Sequence, residues 1–175
     1  YARRGRRDPG LYLSFVNLSV VGHEGDVFGN VLAIQCGLAD TSMAYRIVET
    51  LSAANASVPY PVRVVLQPLS PQHPLWRLYM GRHQQNLVHQ YHNGGIWPFV
   101  GGFWVMALAK LGAHEMAWSE LVRLAQVNAL DDWRFTEWFH GRTLSPMGMA
   151  GQSWNAATFL LARRELLGRE AAYRS

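Results

Sequence analysis

The sequence has one cysteine, no long apolar run and no excess of charge beyond its first residues, and each absence excludes a class of protein. Cys36 is the only cysteine, so the fold does not depend on an internal disulfide bond. It lies in an apolar run, residues 31–38, which predicts a buried, inert thiol and is compatible with the cytoplasmic location that we expect. No apolar run approaches the ~18 residues that span a bilayer, so we expect no membrane partner.

The positive charge is concentrated at the start of the chain. Arg3, Arg4, Arg6 and Arg7 are four of the sixteen basic residues, and residues 8–175 hold twelve basic and twelve acidic residues. Between the ends there is no basic stripe of the kind that binds nucleic acid, so we expect no nucleic-acid partner. We interpret the arginine-rich start as a solvated surface loop, with a nucleic-acid-binding arm as the alternative.

Motifs for cofactors and activated nucleophiles are also absent. The sequence has no phosphate-binding P-loop, no dinucleotide-binding G-x-G-x-x-G motif and no G-x-S-x-G nucleophile elbow. His83, His89 and His92 are six and three residues apart, which matches no compact zinc motif. We therefore expect neither a cofactor nor a bound metal ion.

The composition and periodicity are those of a folded helical protein. Hydrophobic residues make up 49% of the chain and Trp occurs seven times. Apolar spacing predicts helices at residues 27–38, 42–54, 97–111, 113–129 and 152–167. Asp40 or Thr41 can cap the second helix, and Pro98 and Gly112 mark the start and end of the third. Leu38 and Met116 are expected on buried faces, and Val62–Leu66 is the one segment with a β-like pattern.

Two long loops, residues 55–96 and 130–151, separate the predicted helices. Loops above ~15 residues are usually functional or disordered, and the richness of these two in Trp, Tyr and Phe favours function. Short connectors on one side and long loops on the other predict an all-α toroid of helical hairpins with its site on one face. The edge of such a partial toroid should expose apolar helix faces.

Each long loop contains an island of polar, aromatic and glycine residues. The first is Tyr-His-Asn-Gly-Gly-Ile-Trp-Pro at residues 91–98, and the second runs from Trp133 to Trp154. This mixture is typical of a sugar site, because sugars present apolar faces to aromatic rings and hydroxyls to polar groups. We expect the two islands to lie on the same face of the toroid, with His92 or Asn93 close to Glu137.

Glu137 is the leading catalytic candidate, because it is an acid set among Phe135, Trp138 and Phe139. The alternative is a surface glutamate paired with Arg134 or Arg142. Four other candidates have structural alternatives as well. Asp26 and Asn93 could be helix N-caps, and Gln152 and Trp154 could be a polar helix start and a core anchor.

These residues resemble a family of glycoside hydrolases. Trp76-Arg77, Tyr91–Pro98, Glu137, Gly148 and Gln152–Trp154 are similar to the C-terminal part of the catalytic domain of neutral/alkaline invertases. They are at least as similar to bacterial amylo-α-glucosidase or glycogen-debranching-like proteins. The upstream stretch Gly25–Ala33 with Gly37–Asp40 also resembles that group, so the resemblance covers about residues 11–167.

The resemblance implies an (α/α) barrel of six helical hairpins, of which residues 1–175 would be the C-terminal part of a partial catalytic domain. It also implies hydrolysis by two carboxylates, the downstream one matching Glu137. The other, the general acid, lies a couple of hundred residues upstream in the family, so we expect it outside this chain. The chain begins without Met, and we expect a missing N-terminal part; an oligomer of the full-length protein is left open.

The resulting expectation is a hydrolase for an α-glucosidic carbohydrate substrate. Glu137 would act as the base. The residues expected to bind substrate hydroxyls are Arg77, His92, Asn93 and Gln152, those expected to stack or form pocket walls are Trp97, Trp138 and Trp154, and Asp26 is expected to face the site.

Two alternatives to this function remain. Trp138, Phe139 and His140 follow Glu137 where invertases have tyrosines, which favours the debranching-like branch over a sucrose-cleaving invertase. The alternative from another class is a non-catalytic carbohydrate-binding or scaffold domain, which the absence of an upstream acid would favour.

Overall fold

The computed structural model describes residues 10–174, so the arginine-rich start lies outside the described residues. Five α-helices follow one another as α1 Val27–Gln35, α2 Thr41–Ala53, α3 Pro98–Lys110, α4 His114–Ala129 and α5 Ser153–Arg174. A kinked 3₁₀ segment spans Leu78–Gln84, and the two short strands β1 Trp138–Phe139 and β2 Pro146–Met147 form an antiparallel hairpin. The predicted all-α class is thus confirmed.

The helix boundaries follow from local capping. Asp26 and Asp40 precede α1 and α2, and their carboxylates accept the N–H groups of Gly29 and Met43 at 3.1 and 2.7 Å. Pro98 occupies the first turn of α3, where its missing N–H costs nothing. These signals explain why the predicted starts of the first three helices lie within one residue of the observed ones.

Helix α3 is the centre of the fold and contacts α1, α4 and α5. It is apolar on nearly every side, as expected for a helix that is surrounded by other elements. Trp104, Val105 and Leu108 on this helix are buried. Because α3 begins directly after the first sequence island, the packing of this helix fixes the position of residues 91–97.

Three predictions about individual positions were wrong. Cys36 is exposed, and Leu38 is 73% exposed, because α1 ends at Gln35 and the chain turns at Gly37 with a φ of +72°. Their side chains therefore leave the buried face of the helix. Met116 is 40% exposed in the first turn of α4, where the helix faces outward.

The β structure lies elsewhere than predicted. Residues 62–66 form only isolated bridges, which join Arg63 to Ile96 and Val65 to Asp26. The hairpin forms instead at residues 138–147, inside the second island. The fold thus uses extended backbone at the two islands, where the long loops meet.

Helix α5 exposes apolar side chains, as the toroid interpretation expects. Leu160 is 61% exposed, and Leu161 and Leu167 are 43% and 42% exposed. In the described part of the chain, every helix is too short or too polar to cross a membrane.

Candidate functional site

The two islands meet through paired backbone hydrogen bonds. Ile96 and Phe139 each donate their N–H to the other's carbonyl oxygen, both at 2.8 Å. Gly141 donates to the carbonyl of His89, also at 2.8 Å. The predicted convergence of the two loops on one face is therefore confirmed.

The contact between the loops requires glycine. A Cβ atom on Gly141 would overlap the carbonyl oxygen of Gly94, so no larger residue fits while the loops stay this close. Glycine here permits the close approach of two backbones.

Aromatic rings form a layer behind the loop contact. The Tyr91 ring lies edge-on to Trp97 and Trp138, with centroids 5.1 and 5.9 Å away. Trp97 donates its indole N–H to the carbonyl of Tyr91 at 3.0 Å. Trp97 and Trp138 are 5% and 4% exposed, so they support the site from behind instead of offering a free stacking face.

His92 is held on this aromatic layer. Its ring stacks on Trp97 at 5.0 Å with an interplanar angle of 7°. Burial lowers the pKa of His92, and the smaller opposing effect of the Glu137 carboxylate raises it. His92 is therefore neutral near pH 7, with one ring nitrogen as a donor and the other as an acceptor.

Glu137 lies immediately before β1 and is held by two hydrogen bonds to the backbone of Met149. Its N–H donates to the carbonyl of Met149 at 2.8 Å, and its Oε2 accepts the N–H of Met149 at 3.1 Å. Gly148 has a φ of +75°, and a Cβ there would overlap Oε2 of Glu137. The carboxylate is half-buried and keeps acceptor positions for further partners.

The alternative for Glu137 was a surface glutamate paired with Arg134 or Arg142, and neither ion pair is formed within residues 10–174. Arg134 pairs with Asp131 at 3.8 Å instead. Across the described residues, neither Arg134 nor Arg142 forms an ion pair with Glu137.

Asn155 on α5 holds the segment before Glu137. This buried residue donates its Nδ2 to the carbonyl of Thr136 at 2.7 Å. Thr136 in turn donates its hydroxyl to Asp131 at 2.7 Å. Sequence reasoning missed Asn155; its only sign was a polar residue at the predicted helix start.

Asp26 and His92 line the same cavity. This cavity measures about 190 Å³, and its walls are formed by Asp26, His92, Trp97 and Phe99, with Phe28, Val64, Val65 and Val100. The Asp26 carboxylate caps α1, and the residue also lines this cavity, so its role in the site stays a prediction. Burial raises the pKa of Asp26, and the negative charge of Glu24 adds to this, while hydrogen bonds from the Gly29 and Phe28 backbone oppose it.

A second cavity, of about 220 Å³, adjoins the first. His92 and Val65 line both, and Glu24, Tyr79 and Asn86 line only the second. Glu24 was not predicted as a site residue. It precedes the Gly25-Asp26 turn, and only its nearness to Asp26 in sequence could have indicated it.

Asn93 and Arg77 were expected to bind substrate hydroxyls, but their side chains have other partners. Asn93 is 4% exposed, and its amide group is bonded to the backbone of Leu69 and Asn86. It therefore fixes the proline-rich loop and does not cap α3. Arg77 is exposed, donates to the carbonyls of Pro74 and Trp76, and lines neither of the two cavities.

Gln152 and Trp154 lie at the start of α5. The backbone N–H of Gln152 donates to the carbonyl of Phe135 at 3.0 Å, and its side chain is half-buried. Trp154 is 43% exposed, so it is not a core anchor. Its ring lies 5.8 Å from Phe99, which lines the first cavity.

Two further histidines flank the contact between the loops. The rings of His89 and His140 are 6.2 Å apart. Nδ1 of His140 accepts the backbone N–H groups of Arg142 and Thr143 at 3.2 and 3.1 Å. Burial lowers the pKa of both histidines, and the positive charge of His140 lowers the pKa of His89 further.

Comparison with known proteins identifies relatives by sequence. The profile of the alkaline and neutral invertases matches residues 23–169. The chain is 25% identical over 140 residues to neutral/alkaline invertase 1, mitochondrial, of Oryza sativa subsp. japonica, covering 77% of this chain and 22% of that protein. It is 30% identical over 100 residues to the probable alkaline/neutral invertase A, chloroplastic, of Arabidopsis thaliana, covering 55% and 16%. The chain thus spans about a fifth of the length of these relatives.

Solved structures share the fold. The GH63 mannosylglycerate hydrolase from Thermus thermophilus in complex with Tris and D-glycerate superimposes with a TM-score of 0.64 at 16% identity. The match covers 89% of this chain and 35% of that one. The glucose complex of the same hydrolase superimposes with a TM-score of 0.61 at 19% identity. The fold described above is therefore that of part of an (α/α) toroid.

Proposed function

The chain belongs to the alkaline and neutral invertase family, and from this membership we propose that the whole protein is a glycoside hydrolase acting on an α-glucosidic carbohydrate. The observation that carries the proposal is the convergence of the Glu137 hairpin with the loop that bears His92. His92, as a neutral imidazole, and the aromatic wall of Trp97 border one cavity that also contains Asp26. Glu137 does not line this cavity, but its carboxylate is close enough to His92 to oppose the lowering of the pKa of His92.

In this proposal Glu137 is the carboxylate that activates water or attacks the sugar. The N–H of Met149 fixes its orientation, and its remaining lone pairs accept a proton or a hydroxyl. The second carboxylate, the general acid, would come from a part of the protein outside residues 1–175. These residues would then form the C-terminal portion of the catalytic domain.

The other residues would bind and orient the sugar. His92 offers a donor and an acceptor to hydroxyls, Asp26 offers acceptors, and Trp97 forms the wall behind them. Gln152 and Trp154 would border the same space from α5. We assign Asn93 a positioning role, because its amide is already bonded to the backbone.

Two substrates of different type are favoured by different observations. The Trp138-Phe139-His140 sequence after Glu137 favours a branched α-glucan fragment of the debranching type, which is our first proposal. The family match favours sucrose, which is the runner-up.

The test uses the purified protein in its full natural length. It is incubated separately with sucrose and with a maltooligosaccharide carrying an α-1,6-linked glucose, and released glucose is quantified. We expect faster release from the branched oligosaccharide. Release from sucrose alone would replace the first substrate with the second, and binding of either sugar without turnover would favour a non-catalytic carbohydrate-binding domain.

A further inference from the structure

The space beside His92 extends well beyond the cavity that contains Asp26. The cavities of about 190 and 220 Å³ share His92 and Val65. The second cavity shares Glu24 and Leu69 with a third, of about 600 Å³, which reaches Gln67 and His73. The three cavities thus adjoin one another through shared lining residues, and we call this row of cavities, from Trp97 past His92 and Glu24, the cleft.

The dimensions of this cleft exceed what one sugar unit needs. Ligand pockets usually measure about 300–1,000 Å³. The first two cavities together reach the lower end of that range, and the third extends the cleft to its upper end. The cleft therefore has room for a second unit beyond the one placed against Trp97.

Glu24 is the charged side chain at the junction of the two outer cavities. Its Oε2 atom is buried and has no hydrogen-bond partner in the described part of the chain. The side chain as a whole is half-buried and lines both outer cavities, so its carboxylate can meet a ligand donor in either of them. The carboxylate accepts only, and sugar hydroxyls are suitable donors.

We propose that Glu24 is a specificity-determining residue of an outer subsite, which binds the second unit of a neutral saccharide. This inference rests on the proposed function, because it assumes that the inner cavity holds the first unit. Glu24 accepts a hydroxyl of the second unit, and Asn86 lines the second cavity and Gln67 the third. The Tyr79 side chain, 73% exposed at the rim, offers its ring to the apolar face of that unit.

Charge in the cleft sets the class of the second unit. Burial is the main cause of the raised pKa of Asp26, and the negative charge of Glu24 adds to it. None of the described residues that line the three cavities is Lys or Arg. A carboxylate on the second unit would face these acids without a cation to offset them. The outer subsite therefore selects neutral over anionic second units.

The experiment compares Glu24→Gln with its parent in the full-length protein, both carrying Glu137→Gln so that ligands stay intact. Glu49→Gln, at an exposed position of α2, is the matched control. Calorimetry measures the Kd of glucose, maltitol and maltobionate. Maltitol and maltobionate differ only in a neutral alcohol against a carboxylate on the second unit.

We expect Glu24→Gln to weaken maltitol binding about tenfold, the loss of one charge-assisted hydrogen bond, and to change glucose binding less than about twofold. Maltobionate should bind the parent more weakly than maltitol, and Glu24→Gln should reduce that preference. Glu24→Asp keeps the charge but shortens the side chain, so it should weaken maltitol binding while preserving the preference for maltitol over maltobionate. This variant also serves if Glu24→Gln fails to fold.

Equal maltitol affinity in parent and Glu24→Gln, or an equal loss for glucose, would overturn the outer subsite. Glu24-dependent maltitol binding in a protein that hydrolyses no α-glucoside would keep the subsite and refute the proposed hydrolase. Hydrolysis of α-glucosides together with maltitol binding that does not depend on Glu24 would keep the proposed hydrolase and refute the outer subsite. Absence of maltitol binding by the parent would overturn the subsite as well.

Discussion

Replacement of Asn93 tests whether this residue builds the site loop or contacts a ligand. Its Oδ1 accepts the N–H of Leu69 at 2.7 Å, and its Nδ2 donates to the carbonyls of Leu69 and Asn86 at 2.8 and 3.0 Å. At a net ~0.5–1.5 kcal/mol for each hydrogen bond, Asn93→Ala should cost about 2–4 kcal/mol of local stability. Asn93→Asp keeps the acceptor but sets a carboxylate against two carbonyl oxygens, so it should cost at least as much.

Hydrogen exchange of the Leu69 amide, followed by mass spectrometry of the full-length protein, measures this loss directly. A loss of about 2–4 kcal/mol corresponds to exchange that is about 30- to 1,000-fold faster in Asn93→Ala. The control is Asn17→Ala, because Asn17 also accepts two backbone N–H groups, at 3.1 and 2.8 Å, but in an exposed turn. Leu69 exchange should be unchanged in the control. Unchanged Leu69 exchange in Asn93→Ala, combined with weaker saccharide binding, would refute the positioning role.

Two further predictions concern the hairpin and the histidines around it. Gly148→Ala should lower the free energy of unfolding by about 1–3 kcal/mol and reduce turnover, because the new Cβ meets the Glu137 carboxylate. The control is Gly37→Ala, which has a similar φ of +72° but open space around the new Cβ, so it measures the backbone strain alone. Equal losses of stability in the two variants would contradict the clash. The pKa values of His89, His92 and His140 are all lowered, so the stability they contribute is present above their ordinary pKa of about 6.5 and is lost as pH falls below it. The midpoint temperature of thermal unfolding should therefore decrease as the pH is lowered from about 7 to about 5. The decrease should be less steep in His140→Asn, because asparagine cannot be protonated. Identical pH dependence in the two proteins would exclude a contribution from His140.

The helices could be predicted because their signals are local. Apolar periodicity, the carboxylates of Asp26 and Asp40, and Pro98 all act within one or two turns of the chain. The same periodicity wrongly predicted that Leu38 is buried, because an apolar sequence pattern can continue after the backbone has left the helix. The exposed Cys36 follows from the same turn.

The site could be predicted only in part, since its details depend on contacts between distant segments. The islands around His92 and Glu137 were visible in composition, and their meeting followed from the toroid. That Asn93 is bonded to Leu69, 24 residues away, depends on the path of the proline-rich loop. The positions of Glu24 and Asn155 depend in the same way on where α1 and α5 pack, which periodicity does not give.

Turnover of Glu137→Gln tests the central claim most directly. This substitution keeps the size and one acceptor of the side chain but removes its charge and basicity. In the full-length protein, with the α-glucoside hydrolysed fastest by the parent, we expect kcat to fall about 10²–10⁴-fold while substrate binding changes little. Glu115→Gln, at an exposed position in the first turn of α4, should retain normal turnover. A kcat of Glu137→Gln within about threefold of the parent would remove Glu137 from the mechanism and contradict the account.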